Sequence, residues 1–287
     1  EKLQWVCQNI HLGKNQLWEA LMEFPSIQFG VEMAFLSLES KTPFDLFPSE
    51  FTTGKKNMLI NGLVWMGEEQ FMKTQIEEKL AQGFSCIKLK IGAIDFEKEL
   101  GLLRFIRQNF DAKTIEIRVD ANGAFNSNEA LSKLNQLNEF KLHSIEQPIR
   151  ANQIQEMKLL CQETPFPIAL DEELIGVFGI ENKRKLLEEI QPQYIILKPS
   201  LVGGFKGTLE WISIAESLNI GWWITSALES NIGLNAITQF TYTLQNPLPQ
   251  GLGTGGLYTN NFDCPLEIEK GRIKYNPNLV WNISNLV

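Results

Sequence analysis

From Asn57 onward, short apolar runs alternate with longer stretches whose apolar residues recur at helical spacing. The runs are MLINGLVW (58–65), CIKLKI (86–91), IEIRVD (115–120), LHSIE (142–146), PIALD (167–171), YIILK (194–198), IGWWIT (220–225) and a short one near PQGLG (249–253). Their length and flanking turn residues predict strands. Between them, segments such as EEQFMKTQIEEKLAQG, DFEKELGLLRFIRQNF, SNEALSKLNQLNEF and FKGTLEWISIAESLN predict amphipathic helices. Strand alternating with helix eight times predicts an α/β fold, a (β/α) barrel of the TIM type, over residues 57–262. Residues 1–56 read differently. NQLWEALMEF and FGVEMAFLSLES carry helical periodicity and lead into the turn-rich KTPFDLFPSEF, so this part is expected to be a small, mainly helical lobe. The last segment, 263–287, contains PLEIEKGRIKYNPNLV and is expected to form a hairpin that returns to that lobe.

Five of the runs end in charge: Lys88 with Lys90, then Asp120, Glu146, Asp171 and Lys198. Neighbouring members are 25 to 30 residues apart, close to the roughly 31 residues per unit of a barrel with about 250 residues in eight units. Consecutive strands then deliver these groups to one rim, the end at which such barrels carry their chemistry.

Period-2 alternation points Lys88 and Lys90 to the same face. Two adjacent ammonium groups, partly desolvated, are expected to lower the pKa of one of them toward the range of a general base. Asp120, Glu146 and Asp171 would repel one another without a cation. All-oxygen ligation suits Mg²⁺ or Mn²⁺ rather than Zn²⁺, and His11 and His143, the only histidines, form no zinc set. Lys198 stands across the mouth, with a plain ion pair to Asp171 or Glu172 as its bland alternative. The set fits carbon-acid chemistry, in which a polarised carboxylate loses its α-proton to a lysine and the enediolate is stabilised by the cation and the opposing ammonium.

Composition narrows the partners. A net charge of −8 and a pI near 5.0 argue against a broad nucleic-acid surface. No run approaches a membrane span, and EKLQWVCQNI has no signal-peptide pattern. The four cysteines form no CxxC, which predicts a reducing cytoplasm. The partner expected is a small-molecule carboxylate, with self-association as a homo-oligomer left open. The first residue is Glu1 and not Met, so a processed or truncated front is expected.

KLK at 88–90, RVDAN at 118–122, IEQP at 145–148, LDEE at 170–173 and ILKPSLVGG at 196–204 resemble the enolase superfamily, in its muconate-lactonising subgroup. With TSALESNIGL (225–234) and GLGT (251–254), the set is similar to the menaquinone-pathway dehydratases of that subgroup. The superfamily uses a Lys or His base with Mg²⁺ and an ene-diolate. The resemblance implies a lyase that removes water in a syn elimination from a cyclohexadiene carboxylate to leave an aromatic ring. Lys90 would take the α-proton, Lys88 would tune it, and Lys198 would face the opposite side of the enediolate. Asp120, Glu146 and Asp171 would hold Mg²⁺ (or Mn²⁺), while Arg118, Asn122 and Glu172 would support them. Ser226 and the backbone near Gly253 and Thr254 would meet the substrate. GLGTGG (251–256) matches a dinucleotide fingerprint only formally, since no βαβ unit follows it. Family members carry a mixed α/β capping domain, of which residues 1–56 are expected to be a helical part.

On the same scaffold, an N-acylamino acid racemase or a dipeptide epimerase is the alternative. Dipeptide epimerases carry a DxD at the eighth strand, where this chain has GLGTGGLY. A metal-independent Schiff-base aldolase with Lys198 as nucleophile would leave the three acids unexplained. So would a non-catalytic binding protein.

Overall fold

The computed structural model describes residues 1–284. Three helices come first: α1 (Lys2–Gln8), α2 (Gly13–Ala20) and α3 (Pro25–Glu39). Pro25 begins α3, where a missing N–H costs nothing. A buried cluster of Val6, Leu17, Leu21 and Val31 holds the three together. The front of the chain is thus helical, with a small apolar cluster of its own.

The rest alternates as β1 (Asn57–Leu59), β2 (Gly62–Val64), α4 (Glu69–Ala81), β3 (Cys86–Lys90), α5 (Phe96–Asn109), β4 (Glu116–Asp120), α6 (Ser127–Leu137), β5 (Ser144–Glu146) and α7 (Ile154–Glu163). It continues with β6 (Ile168–Leu170), α8 (Ile180–Ile190), β7 (Tyr194–Leu197), α9 (Gly204–Ser217), β8 (Gly221–Ile224) and α10 (Asn231–Thr243), and closes with β9 (Leu266–Glu269) and β10 (Arg272–Tyr275).

Strands β2 to β8 form one parallel seven-stranded sheet in sequence order. Parallel strands need covering crossovers, and the helices supply them. Ile87, Leu89, Ile117, Val119, Ile145, Ile195 and Leu197 belong to the main apolar core. The opposite parity carries Lys88, Lys90, Arg118, Asp120, Ser144 and Glu146, with Ala169, Ile196 and Trp223 in a separate cluster on that side.

Two expectations change. MLINGLVW is not one strand, because the chain passes from one sheet to another at Ile60 and Asn61. Ile60 N donates to Gly271 O, and Asn61 N donates to Gln250 O. Thus β1 pairs with β10 in a three-stranded antiparallel sheet (β1, β10, β9), while β2 starts the parallel one. The eighth run is not a full strand either. Gln250 bridges Ile60 and Gly251 bridges Thr225 by single residues, so the parallel sheet itself is a curled set of seven strands and not eight.

The hairpin expected after residue 262 is present as β9 and β10, and its Tyr275 ring meets Phe51 at 6.2 Å. The final residues of the expected 263–287 segment, 285–287, lie outside the described residues.

Candidate active site

Sheet register builds the site. Lys88 pairs with Arg118, Lys90 with Asp120, and Asp120 with Glu146, so one row across three strands reads lysine, aspartate, glutamate. Parallel pairing puts side chains of one row on the same face. Asp171 follows β6 directly, and Lys198 follows β7. The six charged residues of these five strands therefore lie toward the same end of the parallel sheet.

Lys88 Nζ donates to Asp120 Oδ2 at 3.0 Å and to Glu146 Oε2 at 2.7 Å. Lys90 Nζ donates to the same Asp120 oxygen at 2.5 Å and to Asn122 Oδ1 at 2.7 Å. Lys198 forms an ion pair with Asp171, the pairing held open above. Asn122, in the left-handed region at φ 43° that Asn tolerates, also donates to Glu172 Oε1 at 2.8 Å, which links Lys90 to Glu172 through one amide.

Electrostatics follow from this packing. Burial alone would raise the carboxyl of Asp120, but Lys88 and Lys90 outweigh it and hold the group well below the usual carboxylate range. Glu146 goes the other way: burial, reinforced by the charges of Asp120 and Asp171, raises it well above its ordinary value despite Lys88. Glu172 is raised by burial and by Asp171. Of the two lysines, one of which is expected to have a lowered pKa, Lys88 is not that one. Burial works in that direction, but Glu146 and Asp120 overcome it and Lys88 stays protonated above its ordinary range. Lys198 is likewise raised, because Asp171 and Glu146 overcome its burial.

Mutual repulsion of the three acids is thus relieved by lysines. Among the described residues, no three His, Cys, Asp or Glu side chains stand together as a ready ligand group. The donor chemistry nevertheless fits a hard divalent cation, being carboxylate oxygen without histidine. Glu146 Oε1 is also buried without any hydrogen-bond partner, an orphaned acceptor of the kind a cation satisfies.

A cavity of about 250 Å³ opens beside Lys88, Lys90 and Lys198, with Ser226, Gly253 and Thr254 in its wall. Ser226 Oγ and Thr254 Oγ1 are 2.6 Å apart, which fixes that wall. Arg118 is placed differently. Its guanidinium turns toward the strand starts, bonding Glu116 Oε1 at 2.7 Å and Pro249 O at 2.9 Å and lying 4.2 Å from the Trp223 ring centroid. Its hydrogen bonds thus support the floor of the sheet and not the acids. A wider hollow of about 670 Å³ lies near those strand starts, beside Pro167, Tyr194 and Gly221. It holds no comparable set of charges, so the chemistry belongs to the smaller cavity.

Sequence reasoning missed several residues. Asn61, Leu63 and Trp65 line the cavity, and their every-second-residue spacing within MLINGLVW was the available signal. Gln147 is fully buried with φ 38°. Its Oε1 accepts from the N–H groups of Asp171 (3.2 Å) and Glu173 (3.3 Å), and its Nε2 donates to Glu173 Oε2 at 3.0 Å. It therefore sets the end of β5 against the end of β6, and hence Glu146 against Asp171. Its signal was its place directly after Glu146 in IEQP.

A fold with acids on successive parallel strand ends between lysine-bearing walls defines a class, and the model of the Enolase C-terminal domain-like family matches residues 72–278. The chain belongs to that family, within the muconate-lactonising subgroup of the enolase superfamily. It is 56% identical over 248 residues to the o-succinylbenzoate synthase of Desulfotalea psychrophila, a match covering 86% of this chain and 67% of that protein. The crystal structure of MenC from Desulfotalea psychrophila superposes with a TM-score of 0.79 at 52% identity, over 85% of this chain and 68% of that one. The N-succinylamino acid racemase of Thermus thermophilus is 34% identical over 159 residues, which is 55% of this chain and 40% of that protein. The chain spans about two thirds of the first of these proteins and less than half of the racemase. Among the described residues, no helix is long and apolar enough to cross a membrane.

Proposed function

We propose that the protein is a carbon–oxygen lyase that removes water from a hydroxycyclohexadiene carboxylate to give o-succinylbenzoate, a step of menaquinone biosynthesis. The observation that carries the chemistry is the placing of Lys90 and Lys198 on separate walls of one cavity, with carboxylates between them. The identity to an o-succinylbenzoate synthase over most of the chain supports this choice of substrate.

Lys90, as the neutral amine, accepts the α-proton at Nζ. Asn122, itself tied to Glu172, aims that nitrogen. Negative charge then develops on the substrate carboxylate, and Lys198, kept cationic by Asp171, stabilises it across the cavity. The proton held by Lys90 passes to the departing hydroxyl on the same face, water leaves, and the ring becomes aromatic. Lys88 is not a base in this scheme. It stays charged and joins Asp120 to Glu146. Asp120, Glu146 and Asp171 would hold Mg²⁺, or Mn²⁺, which would supply Lewis-acid polarisation of the substrate carboxylate. Ser226 and the backbone at Gly253 and Thr254 would receive the remote part of the substrate.

The same reading treats the seven strands plus residues 250–251 as a closed (β/α) barrel at 57–262, capped by 1–56 and by the returning 263–287. The unpaired Cys7, Cys86, Cys161 and Cys264 support a reducing cytoplasm as its location. A racemase on N-acyl amino acids is the second reading, favoured by the Thermus thermophilus relative, since it needs only the same lysines.

An assay panel separates them: the hydroxycyclohexadiene carboxylate, N-succinyl amino acids and dipeptides, each with Mg²⁺. Dehydration of the first at a kcat/KM well above racemisation of the others is expected. Racemisation without dehydration would overturn the assignment.

A further inference from the structure

The ILKPSLVGG segment is only partly explained by Lys198. The loop after Lys198 is folded tightly on itself, with Leu201 N and Val202 N donating to Lys198 O and Gly204 N donating to Pro199 O. One further anchor is local, Ser200 Oγ donating to Glu229 Oε1 at 2.5 Å; others come from the helical lobe, more than 170 residues away in sequence. Ser26 Oγ donates to Ser200 O at 2.8 Å, and Trp18 Nε1 donates to Gly203 O at 3.0 Å. Glu32, on α3, accepts from Phe205 N at 2.5 Å and Lys206 N at 3.1 Å, so a side chain of the lobe caps the first turn of α9. The Phe29 and Phe205 rings pack edge to face at 5.3 Å beside this cap.

The two glycines of the segment are shaped by the same grip. Gly203 and Gly204 have φ of 100° and 72°. A Cβ on Gly204 would lie 2.0 Å from Glu32 Oε2, and one on Gly203 would lie 3.2 Å from Gln28 Oε1. Glycine is therefore required twice over, by backbone conformation and by the close approach of α3. Glu32 itself is 7% exposed and interior to the lobe-to-sheet contact, so its carboxylate is not a solvated surface charge.

We infer that Glu32 is a positioning residue for Lys198: through α9 and the Ser200–Lys206 loop, the helical lobe sets where the Lys198 ammonium stands in the cavity. The inference rests on the reading of Lys198 as part of the catalytic site. Misplacement of a reacting group by about 1 Å costs up to about 100-fold in rate even when the change lies far from the chemistry. Substrate affinity depends on other walls, such as Ser226 and Thr254, and should change little.

The test compares Glu32→Ala, Glu32→Gln and the exposed lobe control Glu19→Gln in the full-length protein. It uses steady-state kinetics, amide hydrogen exchange at Phe205 and Lys206, and the rate at which acetic anhydride labels Lys198, read by peptide mass spectrometry. Glu32→Ala is expected to lower kcat by about 10-fold to 100-fold with KM within about twofold, to lose amide protection at both positions and to speed labelling of Lys198. Glu32→Gln, which keeps one acceptor oxygen, should restore part of each, and Glu19→Gln should match the wild type. If Glu32→Ala does not fold, Ser26→Ala, which removes a single half-buried bond, should give the same pattern in smaller measure. Unchanged kcat and unchanged Lys198 labelling in folded Glu32→Ala, or in Ser26→Ala where that variant stands in, would overturn the inference. A wild type inactive on every substrate of the panel would instead remove the proposed function, and the exchange and labelling data would still decide the positioning role.

Discussion

Lys88 lies within β3, buried, and its ammonium is bonded to acids on the two following strands; Lys198 lies just beyond β7, on a loop fastened by Ser26, Trp18 and Glu32 of the lobe and by Glu229 after β8. One wall of the cavity is thus placed by sheet register, while the other also depends on docking of a separate helical unit. The difference has energetic consequences. A charge inside the sheet is tied to stability, because removing it strands buried partners. A charge on a docked loop is tied to rate, because small displacements alter geometry before they alter folding.

The largest expected effect on stability falls on the first wall. Lys88→Met leaves Asp120 and Glu146 buried side by side without their shared cation, and loss of one partner from such a group costs about 3–5 kcal/mol. Denaturant unfolding should show that loss, and saturating Mg²⁺ should recover part of it through binding to the folded acids. A variant as stable as the wild type would erase the distinction between the walls.

A smaller and pH-dependent effect is expected at the second wall. Burial raises Glu32 from 4.5 to about 7, against the pull of the Lys206 and Phe205 N–H groups and of Lys14 and Lys206. The folded protein then holds this proton more tightly than the unfolded chain does. Stability linked to Glu32 is fully present below about pH 4.5 and is lost as pH rises through about 7. The stability difference between wild type and Glu32→Gln should therefore shift against the wild type across that window, by about 1.4 kcal/mol for each pKa unit realised. Melting curves of both proteins at several pH values measure it. A difference that is flat with pH would mean that Glu32 is solvated and the lobe less tightly docked.

The same contrast explains what the amino-acid pattern could reveal. Asp120, Glu146, Asp171 and the lysines were legible because each closes an apolar run, and parallel strands carry their ends to one rim. The break at Ile60 and Asn61 was not legible, since a continuous apolar run hides a change of sheet. This concealed Asn61 and Trp65 as cavity residues. Gln147 acts through backbone groups on the next strand, a relation no local spacing encodes. The protonation of Lys88 also escaped, because KxK advertises repulsion between lysines while the dominant partners, Glu146 and Asp120, arrive from other strands. Grips such as Ser26 on Ser200 and Glu32 on Phe205 depend wholly on tertiary docking.

The central claim is that Lys90 removes the α-proton within this ring of charges. Its most direct test is the turnover of the hydroxycyclohexadiene carboxylate by Lys90→Ala with Mg²⁺, alongside a melting curve. A fall in kcat of about 10³-fold, the usual scale for a lost general base, with cooperative unfolding close to that of the wild type, is the predicted result. Wild-type turnover by the folded variant would contradict it.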